Sequence, residues 1–160
     1  MRPINGRSHP ADWLILAGDV GETAAHLELA FRELKPRFAK LVWVPGNHEL
    51  WTLPSSDEKA RGRFKYDELI ELCRSYEVLT PEDPYPIVTI GGREVRIAPL
   101  FILYDYSFRP IHIPIERAID WAREEGIECA DEVLLHPDPY AGLAEWCHAR
   151  CQITEQRLEA

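Results

Sequence analysis

A chain of 160 residues has room for one domain with a buried core. Its hydrophobic share of 46% and charged share of 28% are those of an ordinary globular protein, and no apolar run approaches the ~18 residues of a membrane helix. The net charge of −9 is concentrated in residues 81–160, which carry 7 basic and 15 acidic side chains, so neither nucleic acid nor an anionic membrane is an expected partner.

The first part of the chain predicts a strand, a helix and a second strand. The apolar run Trp13–Ala17 is closed by Gly18 and predicts a strand buried on both faces. Thr23 can cap a following amphipathic helix, and residues 41–44 form a second apolar run. Such a βαβ unit makes the two strands parallel, with their carboxyl ends on one edge of the sheet.

The remaining elements follow from shorter patterns. The Gly91-Gly92 turn, with alternating residues on either side, predicts a β-hairpin. The other predictions are helices in the second half of 55–76 and in 115–125 and 140–158, and strands at 100–104 and, at best, 78–79.

Four cysteines without a visible secretory signal indicate reduced thiols and a cytoplasmic location. Cys147, His148 and Cys151, with Cys129, could be interpreted as a zinc site. However, Cys147 and Cys151 lie one turn apart on an apolar helix stripe, and no Cys-x-x-Cys pair completes a ligand set. Buried thiols are the favoured interpretation.

Polar side chains follow both strands of the βαβ unit. Asp19 comes after the first strand, and Asn47 and His48 come after the second. In an open α/β sheet this edge is where ligands bind, and an Asp, an Asn carbonyl and a His suit divalent Mn, Fe or Zn. Taken singly, each could be only a helix cap or a turn residue; their occurrence together favours a site. A Gly-x-x-x-x-Gly-Lys loop, which a P-loop nucleotide site requires, is absent from the sequence.

Gly18-Asp19 followed by Gly46-Asn47-His48-Glu49, each after an apolar strand, resembles the second and third motifs of the calcineurin-like metallophosphoesterases. Val20-Gly21-Glu22, Leu50-Trp51 and the stretch 103–110 look like a bacterial subgroup of that family. The resemblance implies an α/β fold, here a partial metallophosphoesterase-like α/β sandwich with a parallel βαβ core, a β-hairpin and C-terminal helices.

The resemblance also implies roles for three residues. Asp19 would bridge two metal ions, and Asn47 would bind the second ion through its side-chain oxygen. His48 would stabilise the phosphoryl transition state or protonate the leaving group. The two metals, Mn, Fe or Zn, would clamp the phosphate and activate a water. Glu49 and Glu22 are expected to orient neighbouring groups.

The sequence also departs from the family pattern. No Asp-x-His precedes Gly18 and no His-x-His occurs anywhere, while His112 and His136 match no motif and are expected to be solvated or structural. We therefore expect one domain over 1–160, an incomplete phosphoesterase that lacks the first and the C-terminal metal-ligand motifs. The alternative is a non-catalytic scaffold of the same family that binds a protein partner.

Charge and truncation lead to further expectations about partners. Because the second half is acidic, a metal cation would have to attract the phosphate-ester substrate. The basic cluster at 59–65 could help to hold a phosphate, although a solvated helix face is favoured. In a truncated domain the strand Trp13–Ala17 would lack a neighbour, and its exposed apolar edge would favour self-association.

Overall fold

The computed structural model describes residues 9–159. Strands β1 (Trp13–Ala17) and β2 (Lys40–Val44) pair in parallel along their whole length. The helix α1 (Ala24–Leu34) joins them, and the Thr23 hydroxyl caps it by accepting a hydrogen bond from a backbone N–H of its first turn. The predicted βαβ unit is therefore confirmed.

Strand β1 is more open than its sequence predicts. Within residues 9–159 it pairs only with β2, and the side chain of Ile15 is 52% exposed. The prediction that β1 is buried on both faces is wrong, because Ile15 and Ala17, which lie on one face, remain exposed. No strand among residues 9–159 pairs with the second edge of β1. Strand β2 is the central strand: Val42 also forms a parallel bridge with Leu79, where a short strand was predicted.

The rest of the chain adds a hairpin and several helices. The predicted hairpin is present as antiparallel strands β3 (Ile87–Ile90) and β4 (Arg93–Arg96). The predicted long helices are also present, together with two one-turn helices that the sequence did not indicate. In chain order the helices after α1 are α2 (Asn47–Leu50), α3 (Gly62–Ser75), α4 (Ala118–Glu124), α5 (Asp131–Leu134) and α6 (Leu143–Glu159).

The predicted strand at 100–104 is not formed. The segment has no strand assignment, and side chains of α6 use two of its carbonyl groups. The carbonyl of Phe101 accepts a hydrogen bond from Arg150 Nε at 3.4 Å, and that of Leu103 accepts one from Cys147 Sγ at 3.2 Å. Helix α6 therefore anchors this segment by side-chain contacts in place of a β-ladder.

The core lies between β2 and helices α1, α3 and α6. Its largest buried side chains are Phe31, Trp43, Tyr66, Phe101 and Trp146. An ion pair is also buried here: Lys65 Nζ lies 3.0 Å from Glu58 Oε2, with the lysine side chain 3% exposed. The expectation that the basic cluster 59–65 forms a solvated helix face is wrong for Lys65, because this side chain is buried and also donates a hydrogen bond to the carbonyl of Trp51.

Two findings bear on location and on the cysteines. Between residues 9 and 159, no helix is long and apolar enough to cross a membrane. All four cysteines are free thiols, with Cys73 and Cys147 buried, and burial raises the pKa of Cys147 to about 11. Buried thiols were the favoured interpretation of Cys147, Cys151 and Cys129. It is confirmed for Cys147, whereas Cys151 is only partly buried, and for Cys129 it is wrong because that thiol is exposed.

Candidate active site

The loops that follow β1 and β2 touch each other through two glycines. A Cβ atom on Gly18 would lie 2.7 Å from the backbone nitrogen of Gly46, and a Cβ atom on Gly46 would overlap the Asp19 carboxylate. Gly18 also has φ +87, in the left-handed region that glycine adopts without steric cost. This close approach is possible only because both positions lack a side chain.

The buried carboxylate of Glu49 joins the two loops. Its Oε2 atom accepts hydrogen bonds from the backbone N–H groups of Asp19 at 3.0 Å and Gly46 at 2.9 Å, and its Oε1 atom accepts one from Val20 at 2.6 Å. Glu49 is 1% exposed, so these charge-assisted bonds are shielded from water. The expectation that Glu49 orients its neighbours is confirmed.

The three predicted site residues lie together at the carboxyl edge of β1 and β2. Asp19 is exposed, and its φ of 55 places it in the left-handed region, which Asp tolerates better than most residues. Its Oδ1 atom is 3.4 Å from the backbone nitrogen of His48. Asn47 and His48 are partly buried and begin helix α2. The site thus combines a carboxylate, an amide and an imidazole.

The imidazole of His48 has an aromatic and an acidic neighbour. It stacks on the ring of Trp51 with a centroid distance of 3.8 Å and an interplanar angle of 26°. Its Nδ1 atom is 3.8 Å from Glu22 Oε1, so Glu22 does neighbour a site residue, as expected. His112 is exposed, in agreement with the prediction of a solvated side chain.

One residue at this site was missed by the sequence reasoning. Asp131, the first residue of α5, is 3% exposed. Its Oδ1 atom accepts hydrogen bonds from Asn47 Nδ2 at 2.8 Å and from Trp51 Nε1 at 2.5 Å. Its Oδ2 atom lies 3.3 Å from the hydroxyl of Tyr104. Asp131 is 84 residues from Asn47, so no local spacing pointed to it.

Comparison with known proteins identifies the family. The family model of calcineurin-like phosphoesterases matches residues 3–147, which is most of the chain. The chain belongs to the calcineurin-like phosphoesterase family. The match covers the two motifs and the segments that carry Tyr104 and Asp131. The α/β fold expected from the resemblance is confirmed.

Two relatives of this family member come from Mycobacterium tuberculosis. One is named [acyl-carrier-protein] phosphodiesterase PptH and is 44% identical over 153 residues, which are 95% of this chain and 47% of that protein. The other is a crystal structure titled phosphopantetheinyl hydrolase (PptH), with 44% identity and a TM-score of 0.90 over 94% of this chain and 54% of that one. The chain spans about half the length of the relatives it matches.

A cavity of about 360 Å³ lies beside the motifs of this phosphoesterase. Asn47, Asp131 and Tyr104 provide its polar wall, and Phe101, Ile102 and Leu103 provide much of its apolar wall. Its volume is in the range of small-ligand pockets. Burial, together with the neighbouring Asp131 carboxylate, raises the pKa of Tyr104, so its hydroxyl remains a hydrogen-bond donor at neutral pH.

The donor atoms at the site fit part of a metal ligand set. The Asp19 carboxylate is exposed, and the nitrogen of the Asn47 amide is engaged by Asp131, which leaves the amide oxygen available. Carboxylate and amide oxygens are ligands that divalent metals accept. Within residues 9–159, however, no three His, Cys, Asp or Glu side chains form a group that could hold a metal.

Proposed function

We propose that the chain is a single domain, residues 1–160, of a metal-dependent phosphoesterase that hydrolyses phosphate esters. In this proposal Asp19 and Asn47 are metal ligands, and His48 acts on the phosphoryl group or the leaving group. The observation that carries the proposal is the pair of loops joined by Glu49, because it brings these three side chains together at one edge of the sheet.

The metals would be two divalent ions of Mn, Fe or Zn. A bound metal polarises the phosphate oxygens and lowers the pKa of a coordinated water. Asp19 and Asn47 each offer one oxygen-bearing group, whereas an ion in such a site takes about four to six ligands. We infer that the chain lacks the first and the C-terminal ligand motifs of the family. Asp19 and Asn47 would then be only two members of the complete ligand set.

His48 can contribute without coordinating a metal. Its ring is oriented by stacking on Trp51 and lies near Glu22. A side chain held in this way can donate a hydrogen bond to a phosphoryl oxygen or a proton to a leaving oxygen. Asp19 accepts a hydrogen bond from the backbone N–H of His48, so the proposed metal-binding carboxylate lies next to the residue that carries the imidazole.

The relatives favour a phosphodiester attached to a carrier protein as the substrate. One is named an acyl-carrier-protein phosphodiesterase and the other a phosphopantetheinyl hydrolase. At 44% identity over 95% of this chain, we infer the same substrate class for the whole protein. We place the reaction in the cytoplasm, on the basis of the four free thiols.

The alternative is a non-catalytic scaffold that binds a protein partner. A scaffold has no use for an exposed aspartate held in the left-handed conformation, because that backbone geometry costs stability and nothing in a scaffold offsets it. The intact Gly-Asn-His-Glu motif therefore favours the enzyme.

Manganese binding and phosphodiester hydrolysis test the proposal in the 160-residue chain. Isothermal titration with Mn²⁺ should show affinity reduced about tenfold or more in Asp19→Asn and in Asn47→Ala. His48→Ala should retain Mn²⁺ affinity and lower the weak hydrolysis of bis(p-nitrophenyl) phosphate that we expect from the incomplete site by about 10²-fold or more. The matched control is His112→Ala, which changes an exposed histidine.

The outcomes separate the parts of the proposal. Unchanged Mn²⁺ affinity in both ligand variants would contradict the metal assignment, and unchanged turnover in His48→Ala would contradict the role of the imidazole. A parent chain that binds no Mn²⁺ would contradict the metal assignment and support the scaffold, whereas weak turnover is what the incomplete ligand set predicts. Robust turnover by the parent chain would contradict the inference that its ligand set is incomplete.

A further inference from the structure

We infer that Asp131 is a positioning residue for the proposed site: it fixes the side-chain amide of Asn47 with the oxygen available to a metal, and it holds Trp51 against His48. The inference rests on the proposed function. It concerns a residue of α5 that lies 84 positions from Asn47 and in neither family motif.

The side chain of Asp131 acts as a hydrogen-bond acceptor. A carboxylate accepts hydrogen bonds, so each partner of Asp131 must donate. The partners are the Asn47 amide, the Trp51 indole and the Tyr104 hydroxyl, and all three carry a donor. With 3% exposure, Asp131 has little contact with water, so these groups satisfy it in place of solvent.

Asp131 determines the orientation of the Asn47 side-chain amide. The two ends of an asparagine amide differ only in being a donor or an acceptor, and the surrounding hydrogen bonds determine which way it turns. With Asp131 as partner the Nδ2 atom must face the carboxylate. The Oδ1 atom of Asn47 then lies on the other side of the amide group, and this is the atom that a metal would bind.

Asp131 is connected to His48 through the indole ring of Trp51. The indole N–H of Trp51 donates to the same Oδ1 atom that accepts from Asn47. The Trp51 ring in turn stacks on His48 at 3.8 Å. One carboxylate oxygen therefore orients the amide directly and the imidazole through one intervening ring.

A purely structural role for Asp131 is less consistent with the contacts. Helix α5 is already joined to the segment after α2 by the backbone hydrogen bond from Thr52 to Leu134 at 2.8 Å and by the bridge between Trp51 and Leu135. No cationic side chain in residues 9–159 forms an ion pair with Asp131. A buried carboxylate without a cation is costly, and an apolar residue of similar size would pack at lower cost.

Two substitutions at Asp131 distinguish positioning from charge and from packing. Asp131→Leu keeps the branched shape of the side chain, with larger methyl groups in place of the oxygens, and removes the acceptor, so Mn²⁺ affinity should fall about tenfold in a folded chain. Asp131→Asn removes the charge but keeps an oxygen that can accept from both Asn47 and Trp51, so it should bind Mn²⁺ within about threefold of the parent. His112→Ala, which changes an exposed histidine, is the control and should also stay within that range.

Nuclear magnetic resonance of the metal-free chain gives a readout that is independent of metal and of turnover. The side-chain NH₂ signals of Asn47 and the indole N–H signal of Trp51 should shift in Asp131→Leu and stay near their parent positions in Asp131→Asn and His112→Ala. Thermal unfolding of each variant checks that it is folded. If Asp131→Leu does not fold, Asp131→Ala provides the same comparison.

Failure of the inference and failure of the proposed function give different results. If Asp19→Asn weakens Mn²⁺ binding and Asp131→Leu does not, the positioning role is wrong and the metal site stands. Equal losses of Mn²⁺ affinity in Asp131→Leu and Asp131→Asn would mean that the charge of Asp131, and not its positioning of Asn47, matters. Unchanged Asn47 and Trp51 signals in Asp131→Leu would contradict the hydrogen bonds to Asp131. If Asp19→Asn has no effect on Mn²⁺ binding, the proposed function itself fails.

Discussion

The two site loops and the β3–β4 hairpin each depend on a pair of glycines, but the glycines serve different purposes. Gly91 and Gly92 turn a hairpin, and a Cβ atom at either position would meet nothing within 4 Å. Gly18 and Gly46 allow two loops to touch, and a Cβ atom at either would collide with the other loop. Local turn geometry requires the first pair, whereas contact between distant segments requires the second.

The hairpin and the site loops also differ in how far away in the sequence their hydrogen-bond partners lie. Strands β3 and β4 are mostly exposed and pair with each other. The site loops are joined by the buried Glu49, which reaches residues 29 and 30 positions away. The residues that pair in the hairpin all lie within its own short stretch of sequence. The site can form only when the sheet and the loops are already in place.

Substitution of Glu49 should have the largest effect and tests this difference most directly. In Glu49→Gln the new amide NH₂ faces backbone donors, so hydrogen bonds are lost and buried N–H groups remain unpaired. We expect a loss of about 2–4 kcal/mol in the free energy of unfolding, measured by urea titration, and weaker Mn²⁺ binding.

The matched control for Glu49→Gln is Glu94→Gln on the exposed strand β4. It should change the free energy of unfolding by about 0.5 kcal/mol or less. Equal effects of the two substitutions would mean that the loops depend no more on Glu49 than the hairpin does on a surface carboxylate.

A second prediction compares the glycines themselves. Gly46 has φ −90, which any residue adopts, so Gly46→Ala is harmful only through its clash with Asp19. We expect a loss of about 1–3 kcal/mol in the free energy of unfolding, together with reduced Mn²⁺ affinity. Gly91→Ala, at φ +58 in open space, should cost about 1 kcal/mol and leave Mn²⁺ affinity unchanged. A fall in Mn²⁺ affinity in Gly91→Ala would show that the two regions are coupled.

The smallest expected effect on stability concerns the open edge of β1. We propose that this edge lets copies of the chain associate, since Ile15 is half exposed on a strand that pairs on one side only within residues 9–159. Ile15→Glu should change the free energy of unfolding by about 0.5 kcal/mol or less and reduce any concentration-dependent increase in mass measured by light scattering. Lys40→Glu, on the paired strand β2, is the control.

The elements that the sequence predicted correctly depend on local patterns. The βαβ unit follows from two apolar runs around a capped helix, and the hairpin follows from a two-glycine turn. The edge at which Asp19, Asn47 and His48 meet could be predicted because parallel strands place their carboxyl ends together.

The errors arise where distant residues decide the local structure. Burial of β1 depends on neighbours that its own five residues do not encode. The segment 100–104 is apolar enough for a strand, but α6 side chains more than forty positions later occupy its carbonyls. Asp131 was missed for the same reason, since its partners are a loop and a tyrosine far away in the chain.

The hydrogen bond between Asn47 and Asp131 also has a consequence for biosynthesis. Because the two residues are 84 positions apart, the motif loops leave the ribosome well before helix α5 does. During that interval the amide of Asn47 has no carboxylate to turn it, and His48 lacks the anchored indole. The nascent chain therefore carries the complete motif sequence before Asn47 and Trp51 have the carboxylate that orients them, and synthesis of α5 supplies that carboxylate.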